Sequence, residues 1–197
     1  LIMPCGTGKS LTAYWIAEEL KAKTILLVVP SLALIKQGVE DWTQEIVACN
    51  EEPLPEWLCV CSDETTGTIS KDEFVSETYD LGLPVTTDPN KIQRFLAKRS
   101  RKRRIVFVTY QSSPVFAKAA LKAGVKFDLA VLDEAHKTAG EKSKAFATLL
   151  FDKNLQIKNR MFMTATERVM RGANDDVVSM DDVKDYGECF YHLSFKE

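Results

Sequence analysis

The sequence predicts an α/β fold in which helices cover both faces of an open, mostly parallel sheet. Short apolar runs rich in β-branched residues recur along the 197 residues, and amphipathic stretches with helical spacing separate them. Alternation of strand and helix is typical of parallel sheets joined by right-handed crossovers. A glycine-rich string, M-P-C-G-T-G-K-S, stands immediately before the first predicted helix. Together these observations favour one sheet-based domain.

The first part of the chain predicts a helix, a strand and a second helix. Leu11–Lys21 has apolar residues four apart and a polar side, so it predicts an amphipathic helix that places Trp15 in the core. Thr24–Val29 is a continuous apolar run that predicts a strand buried on both faces. Ser31 is a suitable N-cap for the next helix, whose apolar stripe places Trp42 in the core.

The middle of the chain is less regular. Trp57–Cys61 predicts a short strand, and Asp63–Thr87, which is polar with scattered Gly and Pro, predicts a loop. A helix is predicted over Pro89–Arg99, because Pro suits the first helical position and Asp88 or Thr87 can cap it. This part therefore adds one strand and one helix.

Three further apolar runs complete the predicted sheet: Ile105–Val108, Leu129–Leu132 and Met161–Met163. Helices are predicted between them, over Pro114–Ala123 and Lys142–Phe151. Each strand is thus followed by a helix that returns the chain to the same end of the sheet, as a parallel sheet requires.

Residues 1–170 are predicted to form one domain, and residues 171–197 an exit segment or a peripheral strand. Only Leu1–Met3 and Pro4 precede the core of the glycine-rich string, although such a loop needs a strand that leads into it. We therefore expect the chain to begin inside its first strand and to be a fragment of a longer protein.

Composition restricts the setting of the protein. The formal net charge of -2 gives no global attraction to nucleic acid, so such a partner must be argued locally. No apolar run approaches the roughly 20 residues that span a bilayer, and no secretory leader opens the chain, so we expect a cytoplasmic protein without membrane contact. The five cysteines have no paired spacing, which predicts reduced, mostly buried thiols without disulfides or zinc.

The glycine-rich string has the residues of a phosphate-binding loop. Gly6 and Gly8 allow backbone N–H groups to turn towards an anion, Lys9 reaches the terminal phosphates, and the Ser10 hydroxyl is a ligand for Mg²⁺. The following helix adds the positive end of its dipole. Met3 stands where the general pattern has Gly. The string predicts an ATP site made by Pro4, Cys5, Gly6, Thr7, Gly8, Lys9 and Ser10.

Polar residues follow the predicted strands, at the edge where parallel sheets bind ligands. Thr109–Ser112 and Thr164–Thr166 are two such segments, and D-E-A-H is a third. In the last, Asp133 is placed to hold Mg²⁺, and Glu134 to orient and deprotonate the water that attacks the γ-phosphate. The sequence therefore predicts that these carboxylates and Lys9 meet around one triphosphate and its metal.

Five strings in order, M-P-C-G-T-G-K-S, V-V-P-S-L, V-T-Y-Q-S, L-D-E-A-H and T-A-T, resemble the motifs of superfamily 2 helicases and translocases. The resemblance is nearest to the DEAD/DEAH-box branch that includes the type III restriction subunits. It implies that the chain is the first of two RecA-like P-loop NTPase domains and acts with ATP and Mg²⁺ on a nucleic acid, with DNA favoured over RNA. The second RecA-like domain, which supplies an arginine finger, would lie outside this chain.

The resemblance also assigns roles to matching positions. Lys9 and Ser10 would bind phosphate and Mg²⁺, Asp133 the metal and Glu134 the hydrolytic water, and His136 would couple this site to the next motif. The coupling residues would be Thr164 and Thr166, and the segments along a nucleic-acid backbone would supply Pro30, Ser31, Gln37, Thr109, Tyr110, Gln111 and Ser112. Glu167 and Arg168 follow the last threonine where many relatives have Pro.

Other interpretations remain open at this point. The same chemistry fits a packaging motor, and a scaffold that binds nucleotide without hydrolysis belongs to another class. A nucleotide kinase is disfavoured, because no Arg-rich lid follows Thr166. Lys91–Arg104 has eight basic residues and no acid; we interpret it as a solvated face, with an accessory duplex contact as the alternative. His192 is interpreted as a packed or surface residue without a metal.

Overall fold

The structure, a computed structural model, describes residues 1–50, 53–61, 83–141, 145–170 and 176–194. Its strands are β1 (Thr24–Val29), β2 (Glu56–Val60), β3 (Arg104–Thr109), β4 (Phe127–Leu132), β5 (Gly140–Glu141), β6 (Ile157–Phe162) and β7 (Val177–Val178). Five of them form a parallel sheet in the order β2-β3-β1-β4-β6, and β5 pairs antiparallel with β7. The predicted α/β class with an open, mostly parallel sheet is therefore confirmed.

The α-helices of the described residues are α1 (Lys9–Glu19), α2 (Leu32–Ala48), α3 (Pro89–Ala97), α4 (Ser113–Ala123) and α5 (Val183–Tyr186). Two of them, α2 and α3, begin at the caps that the sequence predicts. The Ser31 hydroxyl accepts a hydrogen bond from the Leu34 N–H at 3.4 Å, and the Asp88 carboxylate accepts one from the Asn90 N–H at 2.8 Å. These bonds satisfy amide donors that the first turn of a helix leaves free.

One predicted helix is wrong in type. In place of an α-helix over Lys142–Phe151, the chain forms a 3-10 helix over Ala145–Leu150, and residues 142–144 lie outside the described part. Most of the predicted loop, residues 63–82, also lies outside it. At the end of that loop the chain is extended: Val85 forms a parallel bridge with Cys59, whose N–H donates to the Pro84 carbonyl at 2.9 Å.

The core lies on both faces of the sheet. Along the central strand β1, successive side chains point to opposite faces. Ile25, Leu27 and Val29 pack in one cluster with buried residues of α1 and α2. Leu26 and Val28 pack in a second cluster with buried residues of α3 and α4. The two-residue period of a strand thus covers each face with a separate helical layer.

The predicted environment of the two helical tryptophans is right for one and wrong for the other. Trp42 on α2 is 0% exposed, as predicted. Trp15 on α1 is 52% exposed, because α1 turns Ala13, Tyr14 and Ala17 towards the sheet. The large Tyr14 side chain is buried between two alanines on this face, and the Trp15 side chain is left at the surface.

Leu1–Met3 extend the sheet beyond β6. The Met3 N–H donates to the Thr164 carbonyl at 3.0 Å, and Ile2 forms parallel bridges with both Thr164 and His192. The segment Tyr191–Leu193 therefore lies beside the first residues of the chain as an outer strand, and the His192 side chain is exposed. Within the described residues, none of the helices has the length and apolar character needed to cross a membrane.

The five cysteines are free thiols, but the prediction that most are buried is wrong. Cys59 and Cys61 are buried, whereas Cys5, Cys49 and Cys189 are exposed. Burial, and secondarily the neighbouring Cys61, raises the pKa of Cys59 to about 12, so its thiol stays protonated at neutral pH.

Candidate active site

The glycine-rich loop turns the chain from Met3 into α1 through two left-handed glycines. Gly6 has φ 75° and Gly8, the residue that caps α1, has φ 87°. An L side chain is strained at these angles, even though a Cβ would have no atom within 4 Å at either position. The first turn of α1 carries no acidic residue, and no side chain caps it. Its free amide donors therefore suit an anion.

Lys9 is held over the loop by main-chain oxygens. Its Nζ donates to the carbonyls of Met3 and Pro4 at 3.1 and 3.2 Å, and the Thr7 hydroxyl donates to the same Pro4 carbonyl at 2.7 Å. Among the described residues, no carboxylate forms an ion pair with Lys9. The ammonium can thus exchange neutral carbonyl partners for a phosphate oxygen without breaking a salt bridge.

A cavity of about 360 Å³ adjoins this loop. Lys9 and Ser10 line it on one side, and Asp133 and Glu134 on another, so the residues predicted to surround one triphosphate share a single cleft. Its remaining lining comes from the loop, from α2 and from the sheet, chiefly Cys5, Gly6, Gly8, Leu34, Gln37, Gly38, Asp41, Phe107 and Met163.

Asp133 and Glu134 are positioned by the end of β4. The Asp133 N–H donates to the Val28 carbonyl of β1 at 2.9 Å, which continues the sheet by one residue. The Asp133 carboxylate then accepts the Glu134 N–H at 2.9 Å, and Glu134 takes a left-handed backbone with φ 50°. This turn is unusual for a residue with a side chain, and it sets two adjacent carboxylates at the cleft.

The Asp133 carboxyl is poorly solvated. Burial raises its pKa from 3.8 to about 6; the neighbouring Glu134 charge also raises it, while the Glu134 N–H and the Lys9 charge lower it. A carboxylate that is desolvated in this way gains from a cation placed beside it. This property fits the predicted role of Asp133 as a metal ligand.

We expect Asp133→Asn to be more stable than the unaltered chain at neutral pH. Because the folded-state pKa is raised to about 6, the stability from this group is fully present below its unfolded pKa and is lost as pH rises through about 6. The uncharged variant should gain on the order of 2 kcal/mol near neutral pH and lose that advantage by about pH 4. Urea unfolding of both proteins at neutral pH and at about pH 4, without divalent cations, measures the difference in the free energy of unfolding.

The matched control for that comparison is Glu40→Gln, which removes an exposed carboxylate from α2. Its effect on stability should stay nearly constant between the two pH values. An advantage of Asp133→Asn that does not change with pH would contradict the buried carboxyl described above.

His136 connects Glu134 to the segment after β6. Its Nδ1 lies 3.2 Å from Glu134 Oε2 and 3.0 Å from the Thr164 hydroxyl oxygen. The Thr164 hydroxyl donates to the Thr166 carbonyl at 2.7 Å, so its single proton is already used and its oxygen accepts from His136. Nδ1 therefore carries the hydrogen, and one imidazole links the carboxylate to both threonines predicted to couple the site.

The segment Thr109–Ser112, which is predicted to run along a nucleic-acid backbone, is mostly buried. Thr109 and Tyr110 are 0% exposed and Ser112 is 6% exposed, so these hydroxyl groups cannot reach a nucleic-acid backbone in this conformation. The Thr109 hydroxyl donates to Ser112 Oγ at 3.1 Å, and the Tyr110 hydroxyl donates to the Asp133 carbonyl at 2.7 Å. Of these four side chains only that of Gln111 is exposed, and the contact of this segment with a nucleic-acid backbone stays a prediction.

The other predicted nucleic-acid segment is divided between two places. Pro30 is buried, and the Ser31 hydroxyl is engaged as the cap of α2. Gln37 is exposed and lines the cleft beside Lys9. The predicted contact of these three residues with a nucleic-acid backbone stays a prediction.

Two connections in the site were missed by the sequence reasoning. The Trp42 indole N–H donates to the Ser10 carbonyl at 3.2 Å, and the Tyr110 hydroxyl reaches the Asp133 carbonyl. The apolar stripe of α2 indicates that Trp42 is buried, but periodicity carries no information about its polar partner. No pattern along the chain points to the Tyr110 bond, which joins residues 23 positions apart.

Comparison with known proteins places the chain in a family. The family described as type III restriction enzyme, res subunit, matches residues 1–168. A protein of African swine fever virus named as a probable helicase is 32% identical over 171 residues, which are 85% of this chain and 17% of that protein. The chain therefore spans about 17% of the length of the curated relatives it matches.

Solved structures share the fold. The Type ISP restriction-modification enzyme LlaGI, a nuclease-deletion mutant in complex with a DNA substrate mimic, is 29% identical with a TM-score of 0.71 over 99% of this chain and 18% of its own. The ATP-dependent Type ISP restriction-modification enzyme LlaBIII bound to DNA is 29% identical, with a TM-score of 0.74. The match covers 98% of this chain and 14% of that enzyme. The Hef helicase domain of Pyrococcus furiosus is 19% identical, with a TM-score of 0.54, and supports the fold alone. The match covers 94% of this chain and 32% of that domain.

The family match covers most of the chain and the neighbouring structures share its sheet, so the resemblance predicted from the five motifs is confirmed. This chain belongs to the type III restriction enzyme, res subunit family, and it has the RecA-like fold of helicase ATPase domains.

Proposed function

We propose that the chain binds ATP with Mg²⁺ and hydrolyses it as the first RecA-like domain of a DNA-dependent helicase or translocase. The observation that carries this proposal is the cleft shared by Lys9, Ser10, Asp133 and Glu134. Three features suit a polyphosphate: a lysine that pairs with no carboxylate of the described residues, a first helical turn without an acid, and two left-handed glycines.

The residues present fit the metal as well as the nucleotide. Ser10 and Asp133 would hold Mg²⁺, an ion that prefers oxygen ligands and usually keeps waters and substrate phosphates in its shell. Mg²⁺, when bound, would neutralise charge on the phosphate oxygens. The raised pKa of Asp133, about 6, supports this assignment because a desolvated carboxylate favours a nearby cation.

Each remaining side chain has a defined task in this proposal. Lys9 would neutralise negative charge on the terminal phosphates, and the loop amides would hold their oxygens. Glu134 would orient the attacking water and accept its proton. His136, held between Glu134 and Thr164, would transmit a change at the carboxylate to the segment after β6.

DNA and a second RecA-like domain complete the proposal. Two neighbouring structures are of restriction-modification enzymes bound to DNA or to a DNA substrate mimic, which favours DNA over RNA as the polymer. The chain spans about 17% of its curated relatives, so a second domain has room in the longer protein. An arginine finger from such a domain contributes about 10³ to 10⁵ in rate in related phosphoryl-transfer enzymes, and we expect slow hydrolysis without it.

The test is ATP turnover in the full-length gene product with and without duplex DNA, single-stranded DNA and RNA. We expect DNA to stimulate hydrolysis, and Lys9→Ala to abolish both the stimulated rate and ATP binding measured by calorimetry. Lys118→Ala, an exposed lysine on α4, is the matched control and should behave as the unaltered protein. ATP hydrolysis that no nucleic acid stimulates would favour a packaging motor, and ATP binding without hydrolysis would favour a scaffold.

A further inference from the structure

A second cavity lies at the opposite edge of the sheet, near the amino ends of β1 and β3. Its volume is about 530 Å³. We call it the amino-edge basic pocket, because most of its lining residues are cationic. The cations are Lys23, Lys98, Arg99, Arg101, Lys102 and Arg104, and the uncharged residues are Thr24, Ala97 and Ser100. The segment between α3 and β3 supplies most of this lining.

A buried arginine gives the pocket a defined shape. Arg104 is 8% exposed, and its guanidinium donates to the carbonyls of Leu96 and Lys98 at 2.9 and 2.8 Å. The same guanidinium lies 5.1 Å from the centre of the Phe95 ring. These contacts tie the end of α3 to β3 on both sides of the exposed turn. The Arg104 Nε is buried and has no hydrogen-bond acceptor in the described residues.

The acids nearby are already engaged. Glu56 contacts both Lys98 at 3.0 Å and Arg104 at 3.5 Å, and Glu18 pairs with Arg103. The Asp128 carboxylate accepts the N–H groups of Lys23 and Thr24, each at 3.0 Å. Among the described residues, the carboxylates at this edge therefore leave a local excess of positive charge, on a chain whose formal net charge is -2.

Three exposed cations at the tip of the turn have no partner in the described part of the chain. They are Arg99, Arg101 and Lys102. Three long side chains within four residues, fixed at their base by Arg104, suit a row of phosphates. Of the large apolar side chains that are exposed in the described residues, none lines this pocket, so it lacks the apolar centre that protein interfaces use.

We propose that the amino-edge basic pocket is a second nucleic-acid contact, which binds the phosphate backbone of duplex DNA without reading its bases. It is separate from the carboxyl edge, where the nucleotide cleft lies. The proposal rests on the proposed function only for the identity of the polymer. It takes up the accessory duplex contact, which is the alternative interpretation of the Lys91–Arg104 segment.

The test compares two triple variants of equal charge change in the full chain. The tip variant removes the three tip cations and combines Arg99→Gln, Arg101→Gln and Lys102→Gln. The control variant removes three exposed lysines that do not line the pocket and combines Lys118→Gln, Lys122→Gln and Lys158→Gln. Duplex DNA affinity is measured over a range of salt concentrations. The slope of log K against log salt is negative, and the tip variant should reduce its magnitude by up to about 2.7, since each phosphate contact contributes about 0.9. The control variant should leave the slope unchanged.

Equal slopes for the two variants would overturn the proposal, and so would an unaltered chain that binds no duplex DNA. A polyglutamate peptide serves as a second probe: loss of its binding in the tip variant, with DNA binding intact, would overturn the proposal in favour of an acidic protein partner. ATP binding is measured in parallel. If ATP fails to bind while the slope still changes, the proposed function fails and the basic pocket stands.

Discussion

Glu134→Gln is expected to reduce ATP turnover by about 10²- to 10⁴-fold while ATP binding persists. Glutamine keeps the length of the side chain and an oxygen near His136, whose Nδ1 lies 3.2 Å from Glu134 Oε2. It removes the carboxylate charge that, in the proposed function, would accept a proton from the attacking water. Turnover of the full-length gene product with DNA, and calorimetry with ATP on the same protein, measure the two effects separately.

The matched control is Glu19→Gln, which changes an exposed glutamate at the end of α1 and should leave turnover unaltered. Thermal unfolding of each variant shows whether the site remains folded. Turnover of Glu134→Gln equal to that of the unaltered protein would remove Glu134 from its role as general base. Loss of ATP binding in the same variant would instead give it a role in holding the nucleotide.

Trp42→Ala is expected to lower the free energy of unfolding by about 3 to 5 kcal/mol. The Trp42 side chain is 0% exposed, and its ring meets the Tyr14 ring edge-on at 5.4 Å. Its truncation leaves a cavity between α1 and α2. Urea unfolding measures this loss. Trp42→Phe keeps most of the apolar volume but removes the indole donor to the Ser10 carbonyl, so we expect a smaller loss together with weaker ATP binding.

Trp15→Ala is the control for the same residue type on the adjoining helix. Because Trp15 is 52% exposed, its truncation should lower the free energy of unfolding by less than about 1 kcal/mol. An equal decrease in the free energy of unfolding for Trp15→Ala and Trp42→Ala would show that the assignment of the buried face of α1 is wrong. Unchanged ATP binding in Trp42→Phe would show that the bond to Ser10 does not position the loop.

Parts of the fold were predictable because the signal is local and strong. Thr24–Val29 is a strand with the predicted ends, since a continuous apolar, partly β-branched run followed by Pro30 has few alternatives. The caps at Ser31 and Asp88 were also predictable, because a short oxygen-bearing side chain satisfies amides only three residues away or fewer. Such interactions need no information about the rest of the chain.

Helix α1 shows why the buried face of an element is harder to predict. Its apolar residues surround the helix, so periodicity alone does not select one stripe. The selection comes from the sheet, which accepts Ala13 and Ala17 at close range and leaves Trp15 exposed. The 3-10 helix over Ala145–Leu150 is a similar case, because its composition also suits an α-helix.

The sequence by itself determined the fold class, the order along the chain of the five strands in the parallel sheet, and the motifs that belong to a RecA-like ATPase domain, because each of these is encoded in the pattern of neighbouring residues. Only the tertiary structure decided that Tyr110 turns inward to the Asp133 carbonyl, that Gln37 lines the cleft, and that Arg104 shapes the amino-edge basic pocket. The physical reason is that burial and hydrogen-bond partners depend on which surfaces meet when distant segments pack, and local periodicity does not specify those meetings.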